Sequence, residues 1–230
     1  MGRTILVIAL LCCATLCFST LAANPPTQAL GMNQIIQSGI NGLAANPPAT
    51  ATAAPASTSQ GNITTLKQDS GTNLTIMNIT FTNSPAYGVA QAVEFKAPKP
   101  GWILAGIQVM ATDNWNASSK EQPKPLPFTI EVREENLMLL YHYEGIQLPY
   151  FTYSNGVRMA IIDVPPLSLN GTFYVCFYGY GALPLAAELQ NATGNSYYYD
   201  ERTTQMYYGV MPWRNNKAQH VNWLIRVVGM

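Results

Sequence analysis

The chain has 230 residues, 12 basic and 12 acidic side chains and a formal net charge of zero, and only 10% of its residues are charged. Soluble domains average about 25% charged residues. A neutral chain without a basic block excludes nucleic-acid binding by phosphate neutralisation and gives no support for a polybasic membrane patch.

Residues 1–23 are typical of a secretory signal peptide. Arg3 precedes an apolar run from Ile5 to Phe18, and small residues follow up to Ala23. The apolar run, at about 14 residues, is shorter than the roughly 20 that span a bilayer, so we expect cleavage rather than an uncleaved anchor. No later stretch is apolar enough to span a membrane. The sequence therefore predicts a secreted protein or one of the extracellular cell surface.

Three of the four cysteines, Cys12, Cys13 and Cys17, lie inside this predicted signal, which leaves a lipid anchor as a further alternative. Only Cys176 remains in the mature chain, so an internal disulfide is excluded and the domain must be stabilised by its core. Cys176 lies in the apolar run 173–178. We therefore expect a buried small hydrophobic residue and not a nucleophile.

The next two segments are predicted to precede the folded domain. Residues 24–45 form an uncharged tail of apolar and polar residues, and the hexapeptide Leu-Ala-Ala-Asn-Pro-Pro occurs at 21–26 and again at 43–48. The tail is interpreted either as a loose segment or as a strand or short helix that inserts into a neighbouring subunit. Residues 46–65 are mainly Ala, Pro, Thr and Ser, which predicts a flexible linker.

Residues 66–230 predict one all-β domain, an antiparallel two-sheet β-sandwich of jelly-roll type. Short β-type runs recur through this region, and no helical periodicity is sustained. The predicted strands are 73–81, 92–96, 102–111, 128–133, 137–143, 157–164, 173–178, 185–189, 196–199, 205–210 and 221–228. The predicted turns lie at 98–101, 134–136, 155–156, 165–166, 170–171 and 194–195.

Two patterns within the runs predict how particular strands lie. Phe128, Ile130 and Val132 alternate with polar residues, as in a strand with one buried face. The run 223–228 is apolar on both faces, as in a central strand covered on both sides. Its one charged residue, Arg226, is expected to pair with a core carboxylate such as Glu94, Glu131 or Glu188.

The sequence also predicts N-glycosylation. Six Asn-x-Ser/Thr motifs without an intervening proline are present, at Asn62, Asn73, Asn78, Asn116, Asn170 and Asn191. Glycans at these positions would hydrate a surface that carries few ions.

No catalytic motif is present: the chain has no Gly-x-Ser-x-Gly, His-Glu-x-x-His, phosphate-binding loop or Cys-x-x-Cys. His142 and His220 are too few for a three-histidine zinc site and are expected to be structural or exposed. Glu131, with the neighbouring pair 134–135, is the densest acidic group and could in principle hydrolyse glycosides. We expect instead that Glu131 faces out of its strand beside Arg133 and that the pair 134–135 forms a solvated turn. The oxygens of 113–116 offer a weaker option of structural calcium. We predict no cofactor and no enzymatic activity.

Aromatic residues are dense between 197 and 213. Tyr198, Tyr208 and Trp213 are the candidate sugar contacts, because sugar rings stack on aromatic faces. Amide and charged side chains that could bind sugar hydroxyls lie nearby in the sequence: Asn195, Asp200, Arg202 and Asn215. The alternative is that such strand aromatics fill the sandwich core.

Several motifs occur in one order in the second half of the chain. They are Pro-Gly-Trp at 100–102, Phe-Thr-Ile-Glu-Val-Arg at 128–133, Leu-Pro-Tyr-Phe at 148–151, and the runs 173–178, 194–200 and 222–229. Together they resemble an uncharacterised β-sandwich module of exported and surface proteins of methanogenic archaea. The resemblance covers about residues 90–230 and implies a surface or secreted module without an established activity, so it implies no catalytic residues.

Three functions follow as hypotheses. The first is a non-enzymatic, glycosylated β-sandwich protein that acts in adhesion or envelope structure, with a surface glycan or other envelope proteins as its partners. The second is a filament subunit that assembles with copies of itself when the tail at 24–45 adds a strand to a neighbour. The third is a carbohydrate-binding module.

Overall fold

The structure is a computed structural model that describes residues 62–71, 77–212 and 218–230. These residues form strands and loops and contain no helix. Within the same ranges no helix is long and apolar enough to cross a membrane. The predicted signal peptide, the tail at 24–45 and the linker up to residue 61 lie outside the described residues.

Fifteen strands are present in the described residues. They are β1 (Thr64–Lys67), β2 (Ile79–Thr82), β3 (Val89–Lys96), β4 (Trp102–Val109), β5 (Pro127–Glu134), β6 (Leu139–Ile146), β7 (Ala160–Leu169), β8 (Thr172–Tyr178), β9 (Leu185–Glu188), β10 (Ser196–Asp200), β11 (Gln205–Tyr208), β12 (Val210–Pro212), β13 (Ala218–His220), β14 (Asn222–Trp223) and β15 (Ile225–Gly229).

Two large sheets organise the domain. One has the strand order β1-β15-β4-β7 and the other β11-β10-β3-β8-β5-β6, while β14-β9-β2 and β12-β13 form smaller sheets. Every strand pairing is antiparallel. The predicted all-β antiparallel fold is therefore confirmed, and the arrangement is sandwich-like.

A single hydrophobic core joins the four-stranded and six-stranded sheets. Trp102 of β4 stacks on Phe173 of β8, with ring centroids 6.1 Å apart, so side chains of the two sheets meet in the interior. Phe128, Ile130 and Val132 are fully buried in this core, as their alternation predicts. Burial of these large apolar side chains takes the place of disulfides as the source of stability.

The predicted turn at Pro165-Pro166 is wrong, because both prolines lie inside β7. β7 is the edge strand of the four-stranded sheet, and its register against β4 shifts between Leu104 and Gly106, opposite this part of β7. Proline lacks the N–H that a central strand needs, but an edge strand with a bulge tolerates it.

The predicted single central strand at the C-terminus is divided into β14 and β15 at Leu224. β14 belongs to the three-stranded sheet and β15 to the four-stranded sheet. Leu224 is fully buried in a separate small cluster with Met110 and Ala186. The run is apolar on both sides because it contributes to two different packing layers.

The domain begins earlier than its predicted start at 66, since β1 starts at Thr64 and pairs with β15. The chain then brings Asp69 beside Arg226. Asp69, and none of the predicted glutamates, is therefore the observed partner of Arg226. Arg226 donates from Nε to Asp69 Oδ2 at 2.9 Å and from Nη2 to Oδ1 at 2.6 Å. The Asp69 side chain is completely buried. This bidentate pair fixes the N-terminal edge of the domain.

Replacement of Asp69 by Ala would leave the Arg226 guanidinium largely buried without its carboxylate. Removing one partner of such a pair costs about 3–5 kcal/mol. We expect Asp69→Ala to lower the free energy of unfolding by that amount in urea titration. Arg202→Ala is the control, because it removes the exposed member of a surface pair with Asp200 and should have a much smaller effect. Equal losses in the two variants would contradict this account of the N-terminal edge.

Candidate functional site

The outer face of the six-stranded sheet, which points away from the core, is the candidate site. Small residues form its floor: Ala90 and Ala92 of β3 and Cys176 of β8 are all fully buried. They are covered by tyrosine side chains of the flanking positions, which pack over them in one cluster. We call this surface the tyrosine face; its rings are Tyr87, Tyr174, Tyr178, Tyr180, Tyr197, Tyr199 and Tyr208.

The tyrosine face follows from strand periodicity. Side chains alternate across a strand, so Tyr197 and Tyr199 of β10 lie on one face and Tyr198 on the other. Large rings fit over the outer face because the facing residues on β3 are alanines. Tyr197 pairs with Ala92 and Tyr199 with Ala90 across the two strands.

Contacts between rings extend along the face. Tyr87 lies over Tyr180 with centroids 5.1 Å apart, and Tyr180 stacks on Tyr178 at 6.1 Å. At the other end Tyr197 contacts Tyr174 edge-on and stacks on Tyr208. These contacts hold the rings in defined positions before any ligand binds.

A buried ionic group lies beneath the face, centred on Glu131. Its Oε2 accepts hydrogen bonds from Arg133 Nε and from the Tyr178 hydroxyl, both at 2.9 Å. The Arg133 guanidinium also lies 4.5 Å from the centre of the Tyr199 ring. Glu131 lies beside Arg133 on the outer face, where its outward position in the strand is predicted, and its side chain is only 6% exposed.

Burial controls the ionisation of the groups on this face. It raises the pKa of the Cys176 thiol and of the Tyr178 phenol far above their ordinary values. Burial, together with the nearby Glu94 carboxylate, raises the pKa of Tyr197 to about 12. The phenols of Tyr178 and Tyr197 therefore stay protonated at neutral pH and donate hydrogen bonds to Glu131 and Glu94. Cys176 stays a thiol, because the thiolate is disfavoured in this apolar position.

An open hollow of about 650 Å³ lies at the β10–β11 end of the tyrosine face. Its wall includes Asn195, Tyr197, Tyr208 and His220, with the 192–194 turn at its rim. Tyr208 is 61% exposed. Its ring stacks on Tyr197 at 5.5 Å and meets the His220 ring edge-on at 5.5 Å. We call this the tyrosine hollow.

Two of the predicted sugar contacts, Tyr198 and Tyr208, lie on different surfaces. Tyr208 lines the tyrosine hollow, whereas Tyr198 points inward and packs against Trp223 with centroids 5.3 Å apart. Trp213 lies outside the described residues. Tyr197 and His220 are neighbours of Tyr208 that are not predicted from the sequence, although the period of two along β10 identifies Tyr197 as the outward residue.

The predicted glycosylation sites are spread over the domain surface. Five of the asparagines are exposed: Asn62, Asn78, Asn116, Asn170 and Asn191. Asn73 lies outside the described residues. At Asn191 the motif borders the tyrosine hollow, and its Thr193 is anchored by hydrogen bonds from its backbone N–H and hydroxyl to Asn222 Oδ1.

Asp113, in the segment 113–116 that offers the weaker calcium option, is hydrogen-bonded to its surroundings. Asp113 Oδ1 accepts from the backbone N–H of Trp115 at 2.9 Å, and Oδ2 accepts from the Thr152 hydroxyl at 2.5 Å. Its carboxylate thus serves to fix the loop. Within the described ranges no three His, Cys, Asp or Glu side chains cluster as metal ligands do.

No protein-family model, curated protein or solved structure matches the chain. The site is therefore interpreted from its own geometry.

His142, on the edge strand β6 of the six-stranded sheet, lies between two carboxylates. Its Nε2 lies 3.0 Å from Glu144 Oε1 and its Nδ1 lies 3.3 Å from Glu131 Oε1. The hydrogen bond with Glu144, followed by that with Glu131, raises the pKa of His142 above its ordinary value. The folded state therefore binds this proton more strongly than the unfolded state does.

The stabilisation from His142 should be fully present below the unfolded pKa of about 6.5 and lost as pH rises through the higher folded pKa. We expect His142→Gln to be more destabilising at about pH 5.5 than at about pH 8.5. The difference should stay below about 1 kcal/mol, because the ring is partly exposed. Urea titrations at both pH values measure it. With Glu144→Gln as background, most of the difference between the two pH values should vanish. An effect of His142→Gln that is equal at both pH values would contradict the assignment.

Proposed function

We propose that this protein is an exported, non-enzymatic, N-glycosylated β-sandwich protein of the cell surface that works by contact, in adhesion or in envelope structure. The observation that carries the proposal is the tyrosine face. Tyrosines are enriched in protein recognition surfaces, since one ring offers a large apolar area and a hydrogen-bonding hydroxyl.

The fixed positions of the rings suit this task. Tyr197 and Tyr174 both donate their hydroxyls to Glu94 Oε2, at 3.1 and 3.2 Å. Side chains that are already held lose little conformational freedom when a partner binds. A face of hydrogen-bonded tyrosines of this kind therefore favours recognition without rearrangement of the sheet.

The acidic groups of the face support a binding role over a hydrolytic one. A hydrolytic carboxylate must reach the substrate, and a pair of them must flank the scissile bond. Glu131 is buried and is held by Arg133 and Tyr178. It is therefore a structural anchor for the face in this proposal.

Export and glycosylation enter the proposal from the sequence. The N-terminal pattern at 1–23 supports secretion, and the exposed asparagines named above are positioned for glycan attachment. We also propose a jelly-roll-type topology. The supporting observation is that the consecutive strands β3 and β4, β4 and β5, and β7 and β8 lie in different large sheets.

The filament alternative depends on strand addition by residues 24–45. These residues lie outside the described ranges, so the proposal above does not rest on them.

A surface contact protein should be retained on isolated cell envelopes. We expect antibody to detect the protein on intact cells, and purified protein to bind envelope fragments in a saturable sedimentation assay. The double variant Tyr87→Ala/Tyr208→Ala should bind several-fold more weakly, because both rings are exposed parts of the tyrosine face.

Ile161→Ala is the matched control. Ile161 is 59% exposed but belongs to β7 of the other large sheet, so this variant should bind as the wild type does. Absence of the protein from the cell surface, or equal binding by all three proteins, would overturn the proposal.

A further inference from the structure

We propose that the tyrosine hollow binds a neutral sugar ring of a glycan carried by a neighbouring envelope molecule. This inference rests on the proposed contact function and names the ligand class for one part of the tyrosine face. It is carried by an exposed aromatic ring that packs against two other rings and lies beside a hydrogen-bonding amide.

The aromatic wall is built for stacking. Tyr208 presents 61% of its surface to solvent. Its other sides contact the rings of Tyr197 and His220, with centroids 5.5 Å away in both cases. The backbone of the neighbouring strand β10 is hydrogen-bonded to the core, because Trp223 Nε1 donates to the Tyr197 carbonyl at 2.9 Å. The C–H face of a pyranose is apolar and packs well on such a ring.

Asn195 supplies a hydrogen-bond acceptor in the hollow. It donates from Nδ2 to Gln68 Oε1 at 2.9 Å, which fixes the amide and leaves Asn195 Oδ1 to accept a sugar hydroxyl. Behind the wall, Glu94 Oε2 accepts from the hydroxyls of Tyr174 and Tyr197 and so holds the Tyr197 ring. An amide oxygen beside a ring face is suited to the hydroxyl groups of a sugar.

Charge narrows the class of sugar. No lysine or arginine is among the described residues that line the hollow. Glu94, whose Oε2 accepts from the hydroxyl of the lining residue Tyr197, places a negative charge near the hollow, which disfavours uronic acids and other anionic sugars by repulsion. The volume of about 650 Å³ lies within the roughly 300–1,000 Å³ usual for small-ligand sites. A neutral hexose or N-acetylhexosamine therefore fits best.

Glycosylated full-length protein, as processed by its host, should be tested on an array of neutral and acidic glycans and by calorimetry with the best neutral binder. We expect binding to neutral glycans, with Tyr208→Ala losing about 10-fold or more in affinity, because one stacking ring is removed. Asn195→Ala should also weaken binding, while Tyr208→Phe should retain most of it.

Tyr207→Ala is the matched control. Tyr207 is the neighbouring tyrosine of β11, is 49% exposed and does not line the hollow. Its variant should bind within about 2-fold of the wild type, since exposed residues outside the contact contribute little. Equal losses for Tyr207→Ala and Tyr208→Ala would overturn the site, as would a wild type that binds no neutral glycan.

Asn191→Gln separates the two sources of sugar. If the hollow takes a neighbour's glycan, Asn191→Gln and wild type should bind the array alike. Binding that appears only in Asn191→Gln would show that the chain's own glycan fills the hollow, and would overturn the assignment to a neighbour. Retention on cell envelopes without any glycan binding would leave the contact function standing, with a protein partner. Loss of both would overturn the two proposals together.

Discussion

Both faces of the six-stranded sheet must be covered, and this constraint governs the rest of the molecule. The inner face packs on the four-stranded sheet through rings such as Phe173 and Trp102. The outer face carries alanines and Cys176 at its centre, and tyrosines lie over them. Small residues on one strand and large rings on its neighbours are two parts of one packing solution. The resulting surface is aromatic and closely packed at its centre, and the rings at its two ends, Tyr87 and Tyr208, are exposed to solvent.

The N-terminal edge of the domain connects this surface to the rest of the fold. The Asp69–Arg226 pair holds the segment that follows β1 against β15. One residue earlier, Gln68 donates to the Glu94 carbonyl at 2.8 Å and accepts from Asn195. A buried ion pair on one sheet thereby helps to orient an amide at the tyrosine hollow on the other. The stability of the edge and the geometry of the hollow are therefore linked through Asp69, the adjacent Gln68 and its hydrogen-bond partner Asn195.

The sequence predicts the fold class and most strands, because turn residues and alternation are local signals. It fails where the outcome depends on tertiary position. The two prolines of β7 are tolerated only because β7 is an edge strand, and an edge is not visible in a sequence. Arg226 pairs with Asp69 across 157 positions, a distance that no local pattern encodes. The site is predicted only in part. The density of aromatic residues predicts Tyr208. The alternation of side chains along β10 is the signal that places Tyr197 on the outer face and Tyr198 on the inner face.

The central claim is that Tyr197 and Tyr208 form a prearranged contact surface while their sequence neighbours do not. Nuclear magnetic resonance of ring-labelled tyrosines during titration with a neutral oligosaccharide tests it most directly. The account predicts that the ring signals of Tyr208 and Tyr197 shift with one common saturation curve, while those of Tyr198 and Tyr207 stay in place. Unmoved Tyr208 signals, or equal shifts at Tyr207, would contradict it.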